Sequence, residues 1–256
     1  MGTWFETATF SCVKAGNDPR QYEDYAASSS NRGVAARPGR FAVADGATVS
    51  AFAKEWAMAL AEAFVSSKGT ERRSAGWLAR AQRRWAAQVG SQPLPWNVAA
   101  KVEQGAYAAL AGLHLCRRLP GRQQGTYTML AVGDACLFHV RGNTLRRAFP
   151  LTRPDLFGST PQLLCSVSHP EKPTPRLQRV SGVWQPGDHF LLMSDAIAAW
   201  FLQETADCRQ PWRWFERASH LAQEPDAFPT YIEDLRKAKR LKNDDVTVLT
   251  VWVDGG

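Results

Sequence analysis

The chain has 256 residues, of which 45% are hydrophobic and 21% charged, a composition that predicts one globular domain over residues 1–256 and excludes a disordered protein. The net charge of +7 is spread along the sequence without the basic and aromatic clusters of a nucleic-acid-binding protein, and the densest basic run, residues 236–242, is interpreted as a solvated helix face. Because no apolar run is long enough to span a membrane, no signal peptide is evident and the five cysteines form no C-x-x-C pair, we expect a cytoplasmic protein without membrane or nucleic-acid partners.

The first part of the chain predicts three strands followed by three helices. β-branched, aromatic and alternating residues predict strands over 3–13, 24–29 and 40–45. From Ser50 onward, apolar residues recur with the period of an amphipathic helix. A second helix is predicted over 71–88 and, after breaks at two prolines, a short third one that ends near Gln104.

The middle of the chain predicts further strands joined by hairpins. Two apolar runs, 105–116 and 125–142, flank a polar loop, and the second run is interrupted at Gly133-Asp134. A turn at Gly142-Asn143 predicts another hairpin. Residues 150–175 are rich in proline and serine and predict an ordered surface excursion.

The last part of the chain predicts a strand, three helices and a final strand. The strand follows a turn at Pro186-Gly187 and ends at Met193, and helices follow from about Asp195, over 211–222 and over 228–240. The residues from Asp244 onward have strong β propensity. Strands linked by hairpins and grouped apart from the helices favour an α+β fold in which helices cover antiparallel sheets.

Acidic residues stand at the ends of several predicted strands. Asp45 follows the run "FAVA", Asp195 follows "FLLMS", and Asp244 precedes "DVTVLTVWV". Asp134 interrupts a fourth strand, and the pair Glu23-Asp24 precedes another. A carboxylate at the edge of a core is costly unless it is solvated, paired or bound to a metal, and carboxylate clusters are suited to hard cations such as Mg²⁺ or Mn²⁺.

Each acid also has a purely structural explanation. Asp45 or Asp195 would be a favourable N-cap for the helix that follows it, and Asp244 would suit a turn. The repetition of the pattern favours the other explanation, in which several strand ends meet at one rim of a sandwich and their acids converge.

The ordered motifs "RQYED", "VADG", "VGDA", "LLMSDA" and "NDDVTVLTV" resemble those of the PP2C (PPM) family of metal-dependent serine/threonine phosphatases, in particular its short bacterial members. The resemblance extends from about residue 5 to residue 253. It implies a four-layer αββα sandwich, in which two antiparallel β-sheets are flanked by helices. It also implies a centre of two divalent ions, Mn²⁺ or Mg²⁺, with a third, weaker site, held by Glu23, Asp24, Asp45, Gly46, Asp134, Asp195 and Asp244.

The resemblance gives each of these residues a role. Asp45 would bridge the two ions, and Glu23 and the backbone carbonyl of Gly46 would bind one of them. Asp195 and Asp244 would complete the shell of the other ion.

Three further positions follow from the same resemblance. Asp24 would hold a metal-bound water, and Asp134 would contribute with Asp195 to the third site. Arg20, close before the first acid pair, is the nearest match to the phosphate-binding arginine of the family.

The resemblance implies a phosphoprotein phosphatase acting on phosphoserine and phosphothreonine. Its two ions would lower the pKa of a shared water, so that the resulting hydroxide attacks phosphorus directly, without a covalent enzyme intermediate. Catalysis would rest on Asp45, Asp195 and Asp244. The partner would be a phosphorylated protein, and we expect a monomer.

The sequence departs from the family beside these acids. Familiar members read Asp-Gly-His-Gly-Gly or Asp-Gly-Met-Gly-Gly where this chain has Ala47, Thr48 and Val49 after Gly46, and Tyr22 stands where an asparagine is usual. An alternative is therefore a catalytically weak or inactive signalling module that binds metal or a phosphorylated partner. A nucleic-acid-binding protein is a further alternative, suggested only by the positive net charge. The segment 150–175 falls where such phosphatases carry a flap beside the active site, although a plain surface loop explains it equally well.

Overall fold

The computed structural model describes residues 3–29, 38–67, 75–91, 95–117, 124–158, 160–169, 171, 175–218 and 226–255. Within these residues the chain forms two antiparallel β-sheets packed face to face, with helices on both outer faces. The predicted α+β fold, a four-layer αββα sandwich, is confirmed.

The strands divide between a five-stranded and a six-stranded sheet. In chain order they are β1 (Thr3–Cys12), β2 (Tyr25–Ser28), β3 (Gly39–Gly46), β4 (Tyr107–Arg117), β5 (Gly125–Val132), β6 (Cys136–Arg141), β7 (Thr144–Phe149), β8 (Leu164–Cys165), β9 (Gln178–Trp184), β10 (Asp188–Met193) and β11 (Val246–Gly255). The first sheet has the order β1-β11-β10-β6-β7. The second has the order β2-β3-β4-β5-β9, with β8 paired to β4.

The described helices are α1 (Ala53–Val65), α2 (Ala75–Gly90), α3 (Trp96–Gln104), α4 (Asp195–Ala206), α5 (Trp212–Ala218) and α6 (Ala227–Lys237). α1 begins later than predicted because Phe52 adopts the left-handed conformation, with φ 59°. α6 ends earlier than predicted because Lys239 does the same, with φ 55°. The predicted helical residues 71–74 and 219–222 lie outside the described residues.

Three apolar clusters lie between the four layers. The one between the two sheets contains Phe41, Leu113, Phe190 and Leu249, each at most 2% exposed. One outer cluster packs α1 and α2 on the six-stranded sheet, and the other packs α4, α5 and α6 on the five-stranded sheet. Burial of one such side chain contributes about 1.5–3 kcal/mol, so the cluster between the sheets fixes their separation firmly.

β9 was not predicted from the sequence. It pairs with β5 along its whole length, from Gly125↔Trp184 to Ala131↔Gln178. Its residues are mostly exposed or half-buried, and only Trp184 is fully buried. A strand at the edge of a sheet needs no continuous apolar pattern, which explains why residues 178–184 show no clear strand signal.

The strand registers bring the acidic strand ends to one end of the sandwich. In the five-stranded sheet Cys12 pairs with Val246, Met193 pairs with Val248, and Cys136 also pairs with Met193. The acids that flank β6, β10 and β11 therefore share one rim. In the other sheet Tyr25 pairs with Ala44, so the acids before β2 and at the end of β3 adjoin each other.

None of the helices that the structure describes combines the length and the apolar character that crossing a membrane would require.

Candidate functional site

Asp45 and Asp195 meet where the two sheets adjoin. The backbone N–H of Asp195 donates a hydrogen bond to Asp45 Oδ2 at 3.3 Å, which joins the end of β3 to the start of α4. The capping explanation is wrong for both acids, because the N-cap of α1 is Phe52 and that of α4 is Ser194. Asp244, before β11, does take part in a turn, since its Oδ1 accepts the N–H of Asp245.

The carboxyl of Asp45 lies among other acids. Burial, followed by the charges of Asp24, Asp195 and Asp134, raises the pKa of Asp45 well above its ordinary value. Within the described part of the chain no cationic side chain pairs with it. A cation bound next to Asp45 would therefore stabilise the ionised form of this carboxyl group.

Asp24 belongs to a buried hydrogen-bond network behind the rim. Its side chain is 2% exposed, and the hydroxyl of Thr247 donates to its Oδ2 at 2.7 Å. With that donor used, Tyr22 donates its own hydroxyl to Thr247. Burial and neighbouring carboxylates raise the pKa of Asp24 to about 8, although hydrogen bonds from Thr247 and Ser194 oppose the shift.

Gly46 allows the chain before β2 to approach the end of β3. A Cβ at this position would lie 2.8 Å from the backbone oxygen of Glu23 and 3.0 Å from that of Ala53. Both contacts are too short for any side chain, so only glycine fits here. Burial raises the pKa of Glu23, and a hydrogen bond with Thr48 opposes this shift. Thr48, one of the residues that depart from the family pattern, thus contacts a predicted metal ligand.

Asp245 positions Glu23, a role that the sequence analysis did not assign. Its Oδ2 accepts the backbone N–H of Glu23 and its Oδ1 that of Lys14, both at 2.8 Å. This carboxylate therefore fastens the segments after β1 and before β2 to the start of β11. The only signal in the sequence is the doubled acid at 244 and 245.

Replacing Asp245 by alanine should leave two backbone donors without their partner. We expect a loss of about 1–3 kcal/mol in the free energy of unfolding, measured by urea denaturation. Asp245→Asn, which keeps one acceptor oxygen, should lose about half as much. Equal stability of wild type and Asp245→Ala would contradict this role.

Lys242 pairs with two of the predicted metal ligands. Its Nζ lies 2.7 Å from Asp244 Oδ2 and 3.2 Å from Asp195 Oδ2, and Lys14 Nζ is 3.9 Å from Asp244 Oδ1. The interpretation of residues 236–242 as one solvated helix face is wrong at this end, because α6 ends at Lys237 and the chain then turns towards the rim. The contact of Lys242 with these acids was not predicted from the sequence because a basic run at a helix end usually faces solvent.

Asp134 stands between β5 and β6 and is 8% exposed. Burial and then the charge of Asp195 raise its pKa to about 6. Gly133, with φ 85°, makes the sharp turn that places it there, and a Cβ at Gly133 would lie 2.7 Å from that of Ala109. The predicted interruption of this strand is thereby explained.

Among the described residues, Arg20 pairs with an acid other than the predicted metal ligands. It lies in a short 3₁₀ helix, Pro19–Gln21, and its guanidinium pairs with Asp18 at 2.9 Å. The side chain is 91% exposed. Its assignment to phosphate binding stays a prediction.

The segment between β7 and β9 lines two cavities beside the acids. A cavity of about 230 Å³ contains Asp134 and Arg176, and one of about 500 Å³ contains Asp195 and Lys242. Gly158 lines both. β8, in the middle of this segment, pairs with the start of β4 and so attaches the segment to the sheet. The excursion therefore lies next to the candidate site, as a flap would.

Carboxylates are the chemical groups that divalent ions prefer, but the acids at the rim are not spaced as in a formed metal site. Among the described residues, no group of three or more His, Cys, Asp or Glu side chains is arranged to hold a metal ion. However, no cationic side chain of the described residues pairs with Asp45, and Gly46 keeps open the approach of Glu23. The residues present fit a hard cation near Asp45, whereas Lys242 already supplies a positive charge to Asp195 and Asp244.

Several solved structures share this fold. Serine/threonine phosphatase Stp1 from Staphylococcus aureus has a TM-score of 0.61 and 12% identity, with 100% of this chain and 97% of that chain covered. PppA, a regulatory component of the type VI secretion system in Pseudomonas aeruginosa, has a TM-score of 0.55 and 17% identity, with 98% and 100% covered. The catalytic domain of phosphatase PstP in complex with two manganese ions has a TM-score of 0.50 and 16% identity, with 99% and 100% covered.

These likenesses establish that the chain has the PP2C fold. At such low identities they establish the fold alone. No protein-family model matches the sequence, and the comparison with curated proteins finds no match either.

Proposed function

We propose that this protein is a metal-dependent phosphatase that removes phosphate from phosphoserine and phosphothreonine of a protein substrate. The observation that carries the proposal is Asp45, which lies at the rim of a PP2C fold and pairs with no cation among the described residues. Burial and the nearby Asp24, Asp195 and Asp134 raise its pKa. A carboxylate that lies among other acids without a basic partner of its own is expected where a divalent ion binds.

The side chains would divide the work between two ends of the site. Asp45 would bind both ions, and Glu23 and the carbonyl of Gly46 would join it in binding the ion at one end. At the other end Asp195 and Asp244 would bind. When bound, two Mn²⁺ or Mg²⁺ ions supply an activated water and positive charge around the phosphoryl oxygens.

The remaining predicted residues would act around this centre. Asp24, buried and held by Thr247, would orient water, and Asp134 would form a weaker third site with Asp195. Arg20 would bind the phosphate after leaving Asp18, which is feasible because solvent-exposed ion pairs contribute little to stability. The proposal includes a single domain over residues 1–256, in a cytoplasmic monomer that binds neither nucleic acid nor membrane.

The test of this function is metal-dependent hydrolysis. Purified protein, stripped with chelator, should not hydrolyse p-nitrophenyl phosphate or a phosphothreonine peptide, and addition of manganese should restore turnover. A circular dichroism spectrum of the stripped protein controls for unfolding. Folded protein that stays inactive with manganese and magnesium on both substrates would refute a phosphatase.

A second candidate is a catalytically weak or inactive module that binds metal or a phosphorylated partner. It is favoured by the pairing of Lys242 with Asp195 and Asp244, which neutralises one end of the site without a metal. Calorimetry that shows manganese or phosphopeptide binding, with no hydrolysis of any phosphopeptide, would favour this candidate over the first.

A further inference from the structure

We propose that the ammonium group of Lys242 is a built-in cation for the Asp195–Asp244 end of the site, and that a divalent ion binds there only by displacing it. This inference rests on the proposed metal centre. It adds that the two ion positions are unequal, because one of them has an internal competitor.

The contacts of Lys242 carry the inference. Its Nζ reaches Oδ2 of Asp244 at 2.7 Å and Oδ2 of Asp195 at 3.2 Å, so one ammonium bridges two carboxylates from different elements. These are the same two acids that would complete the shell of one ion. The ammonium group and a divalent ion would bind the same oxygens, and only one of the two can occupy the space between these carboxylates at a time.

The other end of the site lacks such a cation. Asp45 has no basic partner among the described residues, and the carboxylates of Asp24, Asp195 and Asp134 lie near it. A first divalent ion bound by Asp45, Glu23 and Gly46 would therefore meet unpaired negative charge. A second ion at Asp195 and Asp244 would meet carboxylates whose negative charge Lys242 already partly neutralises.

The lysine can leave without damage to the fold. Its side chain is 64% exposed, and it stands in the turn before β11, outside any helix or strand. Displacement would release a flexible, strongly hydrated side chain into water, which is an inexpensive step. The ion at this end should consequently bind, but more weakly than it would without Lys242.

The experiment compares manganese binding by wild type and by Lys242→Met, which keeps the apolar stem and removes the charge. Free Mn²⁺ is followed by electron paramagnetic resonance and the binding isotherm by calorimetry. We expect two ions of unequal affinity in wild type, and an affinity of the weaker ion that is about two- to fivefold higher in Lys242→Met, in line with the small contribution of a mostly exposed ion pair. The tighter ion should change little.

Two controls make the assignment specific. Lys237→Met removes an exposed lysine that pairs with Asp234 at 3.9 Å, and this variant should bind both ions as wild type does. Adding Asp244→Asn to Lys242→Met should abolish the gain. Diffraction from Lys242→Met crystals soaked in manganese should show an anomalous peak between Asp195 and Asp244.

The outcomes separate this inference from the proposed function. If Lys242→Met binds the weaker ion with the same affinity as wild type, or with a lower one, Lys242 is not a competitor, and the proposed metal centre is unaffected by this result. If neither protein binds manganese, the metal centre itself is refuted and this inference with it.

Discussion

Replacing Asp45 by asparagine should lower manganese-dependent phosphatase turnover by about 10²–10³-fold, on the scale seen when one directed electrostatic contact is lost from an active site. Asparagine has nearly the same shape but cannot supply the negative charge that a bridging ligand needs. The measurement is kcat with p-nitrophenyl phosphate and with a phosphothreonine peptide, at saturating manganese.

The stability of this variant distinguishes a chemical role from a structural one. The raised pKa of Asp45 means that its ionised form is disfavoured in the folded protein, so above its ordinary pKa the carboxylate costs stability. Asp45→Asn should then be at least as stable as the metal-free wild type at neutral pH. The control is Asp234→Asn, an exposed site on α6, which should keep full activity. Unchanged turnover in Asp45→Asn would refute the assignment.

Replacing Asp188 by alanine should destabilise the protein by about 3–5 kcal/mol, the range for breaking a buried ion pair. Asp188 is fully buried at the start of β10, and it accepts hydrogen bonds from Arg141 Nε at 2.6 Å, Arg141 Nη2 at 2.9 Å and the N–H of Gln185 at 2.9 Å. His139 Nε2 lies 3.0 Å away, at ion-pair distance but without good hydrogen-bond alignment. The alanine variant would remove the acceptor of Arg141 Nε and of the Gln185 N–H, whereas Arg141 Nη2 would keep its hydrogen bond to the carbonyl of Val183 at 3.2 Å.

Urea denaturation at pH 7 measures this loss. The matched control is Asp155→Ala, which removes an exposed partner of Arg153 and should change the free energy of unfolding by less than about 1 kcal/mol. If both variants lose the same amount, the network around Asp188 does not stabilise the fold.

The pH dependence of the Asp188 contribution has a definite sign. Burial alone would raise the pKa of Asp188, but hydrogen bonds from Arg141, the nearby His139 and the Gln185 N–H lower it below the ordinary value of 3.8. Its stabilising effect is therefore complete above that value and is lost as the pH falls through the lower pKa of the folded state. The difference between wild type and Asp188→Ala should shrink only in strong acid.

The sequence predicted the acids and the strands that carry them because both leave local signals. A buried strand is a short apolar run, and a carboxylate at its end, as at Asp45 and Asp195, stands out against that run. Antiparallel pairing then brings alternate strand ends to one rim, which is why Asp134 and Asp244 join them.

The sequence could not predict features that depend on contacts between distant segments. β9 is an edge strand with little apolar pattern, and the hydrogen bonds of Asp245 reach Lys14 and Glu23, more than two hundred positions away in the chain. Lys242 looked like part of a helix because the end of α6 is set by the left-handed Lys239. Local propensity gives no information on which carboxylate a flexible lysine will reach.

The hydrogen bond from Asp195 to Asp45 has a consequence for the core. It connects β3 of one sheet to the start of α4, which follows β10 of the other sheet, so neither sheet alone contains the candidate site. The apolar cluster of Phe41, Phe190 and Leu249 between the sheets therefore sets how far apart these acids stand. Packed interiors do not deform continuously. The spacing of the acids is therefore a property of the whole sandwich, and the exchange of one core side chain far from any carboxylate would change it.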